Sequence, residues 1–143
     1  MDTNDNDILL FHNTMRITDG HLEDFRAAID KAVRFAERNG PQLMVEVFVD
    51  EQRMTAHSFQ LFRDSDAVRA HWRLADPYIQ EVMEHCRVAH FEVFGEPDDD
   101  VVSAVRGAIG DGEFALAPRT AGFARFRAPS EETPKAEDQL SDG

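Results

Sequence analysis

The sequence predicts an α+β domain of the ferredoxin-like type, with the element order β-α-β-β-α-β and an antiparallel sheet covered by helices on one face. Four short stretches have strand character, through period-two alternation or a high content of β-branched residues. Two longer stretches repeat apolar residues every three to four positions, as helices do. The strand stretches are residues 8–17, 42–49, 54–63 and 88–95, and the helical stretches are residues 21–38 and 67–86. This order matches the split β-α-β arrangement.

The first strand and the first helix are the most clearly marked elements. In residues 8–17 the odd positions are apolar except for Asn13, and most even positions are polar, which predicts a strand with two distinct faces. The helix that follows carries one apolar stripe, which includes Phe25 and Ile29. It should end at Asn39-Gly40-Pro41, because a residue tolerant of left-handed geometry, a glycine and a proline are typical of helix ends.

The middle of the chain predicts a hairpin followed by a second helix. Residues 42–49 and 54–63 are separated by a short polar turn, and a connection of that length favours an antiparallel hairpin. Asp64 and Ser65 offer capping side chains to the helix that follows. Pro77 predicts an irregularity inside that helix, because proline lacks the backbone donor that a helix interior uses.

A sheet covered on one face only leaves its other face to water or to a partner. The most economical partner is a second copy of the same chain, packed sheet against sheet. We therefore expect a homodimer in which two sheets form a dimeric α+β barrel.

The chain divides into a central domain and less regular ends. Residues 8–96 form the predicted domain, residues 97–128 a short helix followed by an arm, and residues 1–7 and 129–143 disordered segments. The arm is expected either to lie over its own subunit or to be exchanged with the partner. Most of the net charge of −13 falls in the two ends and in residues 96–100, so it aids solubility. With no basic stripe, nucleic-acid binding is not expected.

The composition also indicates the cellular compartment in which the protein is expected. No apolar run approaches the roughly 20 residues that span a bilayer, and the first residues are acidic where a secretory signal would be basic and then apolar. Cys86 is the only cysteine, which excludes an intrachain disulfide and a paired-cysteine metal site. We expect a cytoplasmic protein that does not associate with membranes.

Two local motifs carry a resemblance to a known family. Asn39-Gly40-Pro41 before a strand, and the run FQLFRDSDAVRAH at residues 59–71, resemble the antibiotic biosynthesis monooxygenase family of the dimeric α+β barrel superfamily. The resemblance covers residues 8–94. It implies a cofactor-independent monooxygenase that uses neither a metal nor a flavin, and that oxidises an aromatic polyketide or a quinol-type substrate with O₂.

That chemistry needs a base, an apolar slot and donors for a developing oxyanion. Two alternatives stay open: a non-enzymatic dimeric protein of the same fold that binds ligands or partners, and a polyketide cyclase or isomerase that uses the same pocket without O₂.

His71 is the expected base, because it matches the helix histidine of the family. A histidine takes up a proton near neutral pH with little adjustment. The alternative is a structural histidine that is half buried and hydrogen-bonded where the helix meets the sheet.

Aromatic side chains are expected to shape the substrate slot. Trp72 and Tyr78 are the only residues of their kinds, and Phe59 and Phe48 lie on the hairpin strands. Six helical positions correspond to a rotation of about 600°, so Trp72 and Tyr78 share one pocket only if Pro77 breaks the helix between them. Ordinary packing is the alternative.

Histidine and glutamate residues interrupt the apolar pattern of the strands. His57 or His90 is expected to assist His71 as a catalytic residue, and His90 and Glu92 are expected to share a sheet face with Val88. Such residues either line a cavity or form hydrogen bonds across a dimer interface, because unpaired polar groups are costly there. A metal site built from His12, His57 and His90 is conceivable, but nothing in the spacing specifies one.

Asn13 is the remaining candidate for substrate binding. It resembles the strand Asn that the haem-degrading branch of the superfamily uses together with a helix Trp and a helix His. In this chain Trp72 lies one position past the expected site and His85 lies too far along, so haem is not the expected substrate.

Overall fold

The computed structural model describes residues 7–125. Its elements are β1 (Leu9–Ile17), α1 (Leu22–Asn39), β2 (Met44–Asp50), β3 (Thr55–Phe62), α2 (Ser65–Met83), β4 (Cys86–Phe94), α3 (Asp99–Ala108) and β5 (Glu113–Ala117). The disorder predicted for residues 1–7 and 129–143 falls outside the described residues, apart from Asp7.

The five strands of the described residues form one sheet in the order β2-β3-β1-β4-β5. β1 is central and pairs antiparallel with β3 and β4, and β2 pairs antiparallel with β3. This is the ferredoxin-like arrangement that the sequence predicts. β5 extends the sheet beside β4 and runs parallel to it. The sequence predicted an arm at this point, without a strand.

Local chemistry accounts for the helix boundaries. The Asp64 carboxylate accepts a hydrogen bond of 2.9 Å from the backbone N–H of Ala67, which caps α2 as expected. α2 continues through Pro77. α1 begins after His21, whose side chain makes no capping hydrogen bond. Gly40 follows α1, and its N–H donates to the carbonyl of Ala36. Within residues 7–125, no helix has the length and apolar character that crossing a membrane requires.

The three helices within residues 7–125 pack against the same face of the sheet, here called the helix face. One buried cluster joins Leu9, Phe11 and Phe62 to Val101 and Val105 of α3. A second cluster lies at the other end of β1 and joins Met15 and Ile17 to Phe25 and Ala28 of α1. The opposite face of the sheet, here called the open face, has no helix over it in the described chain.

A bulge in β4 changes the predicted register. Thr14 of β1 pairs with His90 and Met15 with Val88, so Ala89 is the extra residue between them. Val88 therefore packs in the core on the helix face, whereas His90 and Glu92 lie on the open face. The expectation that Val88 shares a face with them is wrong, because strict alternation fails at a bulge.

Candidate functional site

A cavity of about 420 Å³ lies between the helices and the helix face of the sheet. Much of its wall is aliphatic or aromatic, and its apolar lining includes Ile29, Val33, Val45, Val47 and Phe91. β1 to β4 form the floor and all three helices contribute to the roof. A space of this size and character is typical of small-molecule sites.

A short hydrogen-bonded chain of side chains forms one polar part of the wall. Gln42 lies just before β2, Gln60 on β3 and His71 on α2, and all three line the cavity. The amide nitrogen of Gln42 donates to Gln60 Oε1 at 2.9 Å and to His71 Nδ1 at 3.0 Å. In this arrangement Nδ1 of His71 is an acceptor, so the ring proton is on Nε2.

Burial controls the charge of His71. Desolvation disfavours the imidazolium and lowers the pKa of His71 from an ordinary 6.5 to about 4. Its ring lies 5.8 Å from the ring of Phe62, measured between centroids. At neutral pH the imidazole is therefore uncharged. Gln42 contacts Nδ1 only, so Nε2–H is able to donate a hydrogen bond to another group.

Two buried acceptors in the same cavity have no hydrogen-bond partner among the described residues. They are Oδ1 of Asn13 on β1 and Oε1 of Gln42. A buried acceptor without a donor is costly. A ligand that brings a hydroxyl or an N–H group into the cavity would satisfy either one.

The two aromatic residues of α2 lie on different sides of it. Trp72 lines the cavity and packs against the core cluster that contains Phe11. Tyr78 lies outside the cavity and stacks on Phe35 of α1, with ring centroids 4.4 Å apart. Because α2 is continuous through Pro77, the rotation between the two positions is kept. The structure therefore does not bring Tyr78 to the site expected for it.

The other predicted site residues lie on the open face. There, His57 and Phe59 of β3, Phe48 of β2 and His90 of β4 are separated from the cavity by the sheet itself. Of the eight predicted site residues, the structure brings His71, Trp72 and Asn13 to the cavity. It does not bring His57, His90, Tyr78, Phe59 and Phe48 there, because side chains of successive strand residues point to opposite faces.

Polar side chains form a continuous network on the open face. His12 Nδ1 lies 2.7 Å from a carboxylate oxygen of Glu92, and His12 Nε2 lies 3.0 Å from His57 Nδ1. The ring of His12 stacks on Phe59 with centroids 4.3 Å apart. His90 lies 3.5 Å from Glu92. The polar groups predicted for the strands are thus paired with one another within one chain.

Comparison with known proteins identifies relatives of the fold. No protein-family model and no curated protein sequence matches the chain. Among solved structures, MupZ from Pseudomonas fluorescens is similar at 16% identity, over 86% of this chain and 96% of that one, with a TM-score of 0.65. SnoaB from Streptomyces nogalater, a cofactor-independent oxygenase, is similar at 14% identity over 64% and 95% of the two chains, with a TM-score of 0.55.

A third similar structure is a candidate antibiotic biosynthesis monooxygenase from Caulobacter crescentus, at 11% identity over 64% and 91% of the two chains and a TM-score of 0.56. At these identities the likeness shows the fold. The ferredoxin-like fold is shared with proteins named as monooxygenases of this kind, and activity has to be argued from the site.

Proposed function

We propose that this chain is a cofactor-independent monooxygenase that oxidises an aromatic polyketide or quinol-type substrate with O₂ in the cavity beneath its helices. One observation carries the proposal: a largely apolar cavity of about 420 Å³ whose wall holds a buried histidine that is neutral at neutral pH. The fold shared with SnoaB supports it.

The proposed reaction needs no external reductant, because the substrate itself supplies the electrons that reduce O₂. Removal of a proton from an anthrone-type substrate gives an electron-rich anion, which transfers one electron to O₂. The substrate radical and superoxide combine into a peroxide. Cleavage of its O–O bond with loss of the remaining hydrogen leaves a carbonyl on the substrate and releases one water. An apolar cavity favours this sequence, because it keeps bulk water away from the reactive intermediates.

His71 is the proposed acid–base residue, and Gln42 and Gln60 determine which form its ring takes. In the observed arrangement Nε2–H is a donor suited to an oxyanion on the substrate. If both glutamine amides turn over, the Gln42 carbonyl accepts a hydrogen bond from Nδ1–H of His71, and Nε2 then carries the lone pair of a base. The same side chain can then remove a proton and later stabilise the charge produced.

Two further cavity residues are proposed to position the substrate. Trp72 offers a flat apolar surface to an aromatic ring. The unpaired oxygen of Asn13 accepts a hydrogen bond from a substrate hydroxyl. The open-face residues and Tyr78 have no part in this site.

The test is oxygen consumption with a tricyclic anthrone and with a hydroquinone, in buffer containing a chelator. Wild-type protein should consume one O₂ per substrate oxidised, and His71→Ala should reduce the rate by at least about 100-fold.

Ala32→Phe fills the cavity from α1 and should raise KM or abolish turnover. Ala27→Phe places the same side chain on the exposed side of α1 and should leave turnover unchanged. Full activity in His71→Ala and Ala32→Phe would refute the site assignment.

A ligand-binding role without catalysis is the second candidate, and one observation favours it. A histidine whose pKa is about 4 is a weak base. Because Trp72 is the only tryptophan and lines the cavity, its fluorescence reports binding directly. Saturable quenching by an anthrone without oxygen uptake or product would establish this role. A product formed equally well without O₂ would indicate a cyclase or isomerase.

We further infer that a second copy of the chain covers the open face. Phe48 and Phe94 lie on that face with 56% and 38% of their surface exposed, and the ring of Phe48 lies 6.1 Å from that of the partly buried Phe59. Aromatic surface of this kind is typical of interface cores. Light scattering should give a dimer mass for wild-type protein. Phe48→Lys with Phe94→Lys should give a monomer, and a wild-type monomer would contradict the inference.

A further inference from the structure

A cluster of three side chains lies apart from both the cavity and the open face. It consists of His21, Asp24 and His85, here called the His–Asp cluster. His21 immediately precedes α1, Asp24 lies in the first turn of α1, and His85 lies between α2 and β4. None of the three lines the cavity.

The two imidazoles converge from segments that are distant in sequence. Nδ1 of His21 lies 3.0 Å from Nδ1 of His85. One potential ligand atom from each of the three residues lies within 4.8 Å of the other two. His21 stands at the helix position where side chains usually cap the first turn, yet it makes no capping bond and contacts His85 instead.

The backbone holds this geometry in place. The N–H of Thr18 donates to the carbonyl of His85 at 2.9 Å, and the N–H of His21 donates to the carbonyl of Thr18 at 2.9 Å. The backbones of both histidines are therefore fixed relative to each other before any ligand arrives. Such preorganisation reduces the ordering cost of binding.

The spacing suits a divalent transition metal. Zn–N bonds of about 2.0–2.1 Å at a tetrahedral angle place two ligand nitrogens about 3.3 Å apart, within a few tenths of the observed separation. Two imidazoles and one carboxylate are ligands that zinc, cobalt and nickel accept, whereas magnesium and calcium prefer oxygen ligands. The cation would take the place of the single proton that the two facing nitrogens share.

The open face provides an instructive contrast. His12 and His57 also approach within 3.0 Å, but the carboxylate of Glu92 contacts the other ring nitrogen of His12. Glu92 and His57 contact different ring nitrogens of His12, so the three residues do not direct their ligand atoms to one point. A close histidine pair alone therefore does not make a metal site, and the convergent carboxylate of Asp24 distinguishes the His–Asp cluster.

The dipoles of α1 and α2 have opposite effects on a cation bound at the His–Asp cluster. His85 follows the carboxyl end of α2, where the helix dipole favours a cation. The amino end of α1 opposes a cation, and the acidic residues of its first turn, Glu23 and Asp24, offset that effect.

We propose that the His–Asp cluster binds one divalent transition-metal ion, with Zn²⁺ as the reference ion, and thereby clamps the start of α1 to the end of α2. The site is independent of the proposed oxygenase chemistry. Its expected role is structural, because it lies outside the cavity and joins two helices that form the cavity roof.

The test uses untagged full-length protein, stripped with a chelator and titrated with Zn²⁺ by calorimetry and with Co²⁺ by visible absorption. Wild-type protein should bind one ion per chain with nitrogen ligation and a raised Tm. His21→Asn is the decisive variant, because asparagine is a good helix cap and removes the imidazole without weakening α1. His21→Asn and His85→Gln should each weaken Zn²⁺ binding about tenfold or more. Loss of a residue that only hydrogen-bonds to a metal ligand already lowers metal affinity about tenfold, and loss of the ligand itself should lower it at least as much.

His57→Gln is the matched control, because it removes one histidine of the other close pair. It should bind Zn²⁺ as wild-type protein does. The proposal is overturned if wild-type protein binds no Zn²⁺ at concentrations up to about a millimolar, or if His21→Asn binds it unchanged. Equal loss in His57→Gln and His21→Asn would also overturn it, since binding would then not be located at the cluster.

Discussion

The burial of His71 makes the stability of this protein sensitive to acid. Its pKa falls from 6.5 to about 4 through desolvation, so the folded chain resists a proton that the unfolded chain accepts. Between these values the unfolded state binds more protons than the folded state. Stability from this residue is therefore complete above the unfolded pKa and is lost as the pH falls toward the folded pKa.

The size of the effect follows from the shift. From about pH 7 to about pH 5, integration of the difference in bound protons gives a loss of about 2 kcal/mol. Below the folded pKa the loss levels off at about 3 kcal/mol, since both states then carry the proton. Either value is a substantial part of the stability of a typical small domain.

The variant His71→Asn isolates this contribution. Asparagine does not titrate, and its side-chain oxygen can accept the hydrogen bond that Gln42 donates to His71 Nδ1. Urea denaturation at about pH 7 and about pH 5 should show wild-type protein losing about 2 kcal/mol more than the variant. Carboxylates titrate alike in both proteins and cancel in that comparison.

If His71→Asn and wild-type protein lose the same free energy between the two pH values, His71 does not have a lowered pKa. The account of His71 as a neutral cavity residue would then fail.

Three further substitutions test other parts of the structure by urea denaturation. Asp64→Ala removes the cap of α2 and should lower the free energy of unfolding by about 1 kcal/mol, whereas Asp64→Asn should retain most of it. Gly95→Ala should cost about 2 kcal/mol or more, because Gly95 has a φ of +125° and a Cβ would lie 2.8 Å from the carbonyl oxygen of Ile8. Gln42→Leu should cost about 1–3 kcal/mol, because it leaves Gln60 Oε1 and His71 Nδ1 without their donor. Unchanged stability in any one of them would contradict the contact named for it.

The fold was predictable because its signals are local. The change from period two to a helical period sets the element order, and Asp64 caps α2 where the sequence indicates. The features that were missed depend on tertiary context. The bulge at Ala89 and the short strand β5 leave no distinctive residue pattern, because each is defined by its pairing with a neighbouring strand.

The site was predictable only in part, for a related reason. His71 and Trp72 carry strong signals as a family-like histidine and the only tryptophan. Gln42 lies in a connection and Gln60 in an alternating strand, where glutamine is unremarkable. Their role depends on the meeting of two strands and a helix at one point. Asn13 became a candidate through its resemblance to the strand Asn of the haem-degrading branch, and its polar side chain at a core-facing strand position is a further signal.

The sheet itself explains why the histidines do not act together. On β1, Asn13 contributes to the cavity, whereas the adjacent residue His12 lies on the open face. Two consecutive residues therefore lie in two different chemical environments. No side-chain rotation brings His57 or His90 through the sheet to a substrate beside His71. The open-face imidazoles already have partners within one chain, because His12 and His90 contact Glu92 and His57 contacts His12. A second sheet can therefore cover these contacts at a lower cost than unpaired polar groups would impose. The network therefore fits a surface that becomes buried, and any chemistry in the cavity falls to the polar side chains that line it, which include His71 and the two glutamines that contact one another beside it.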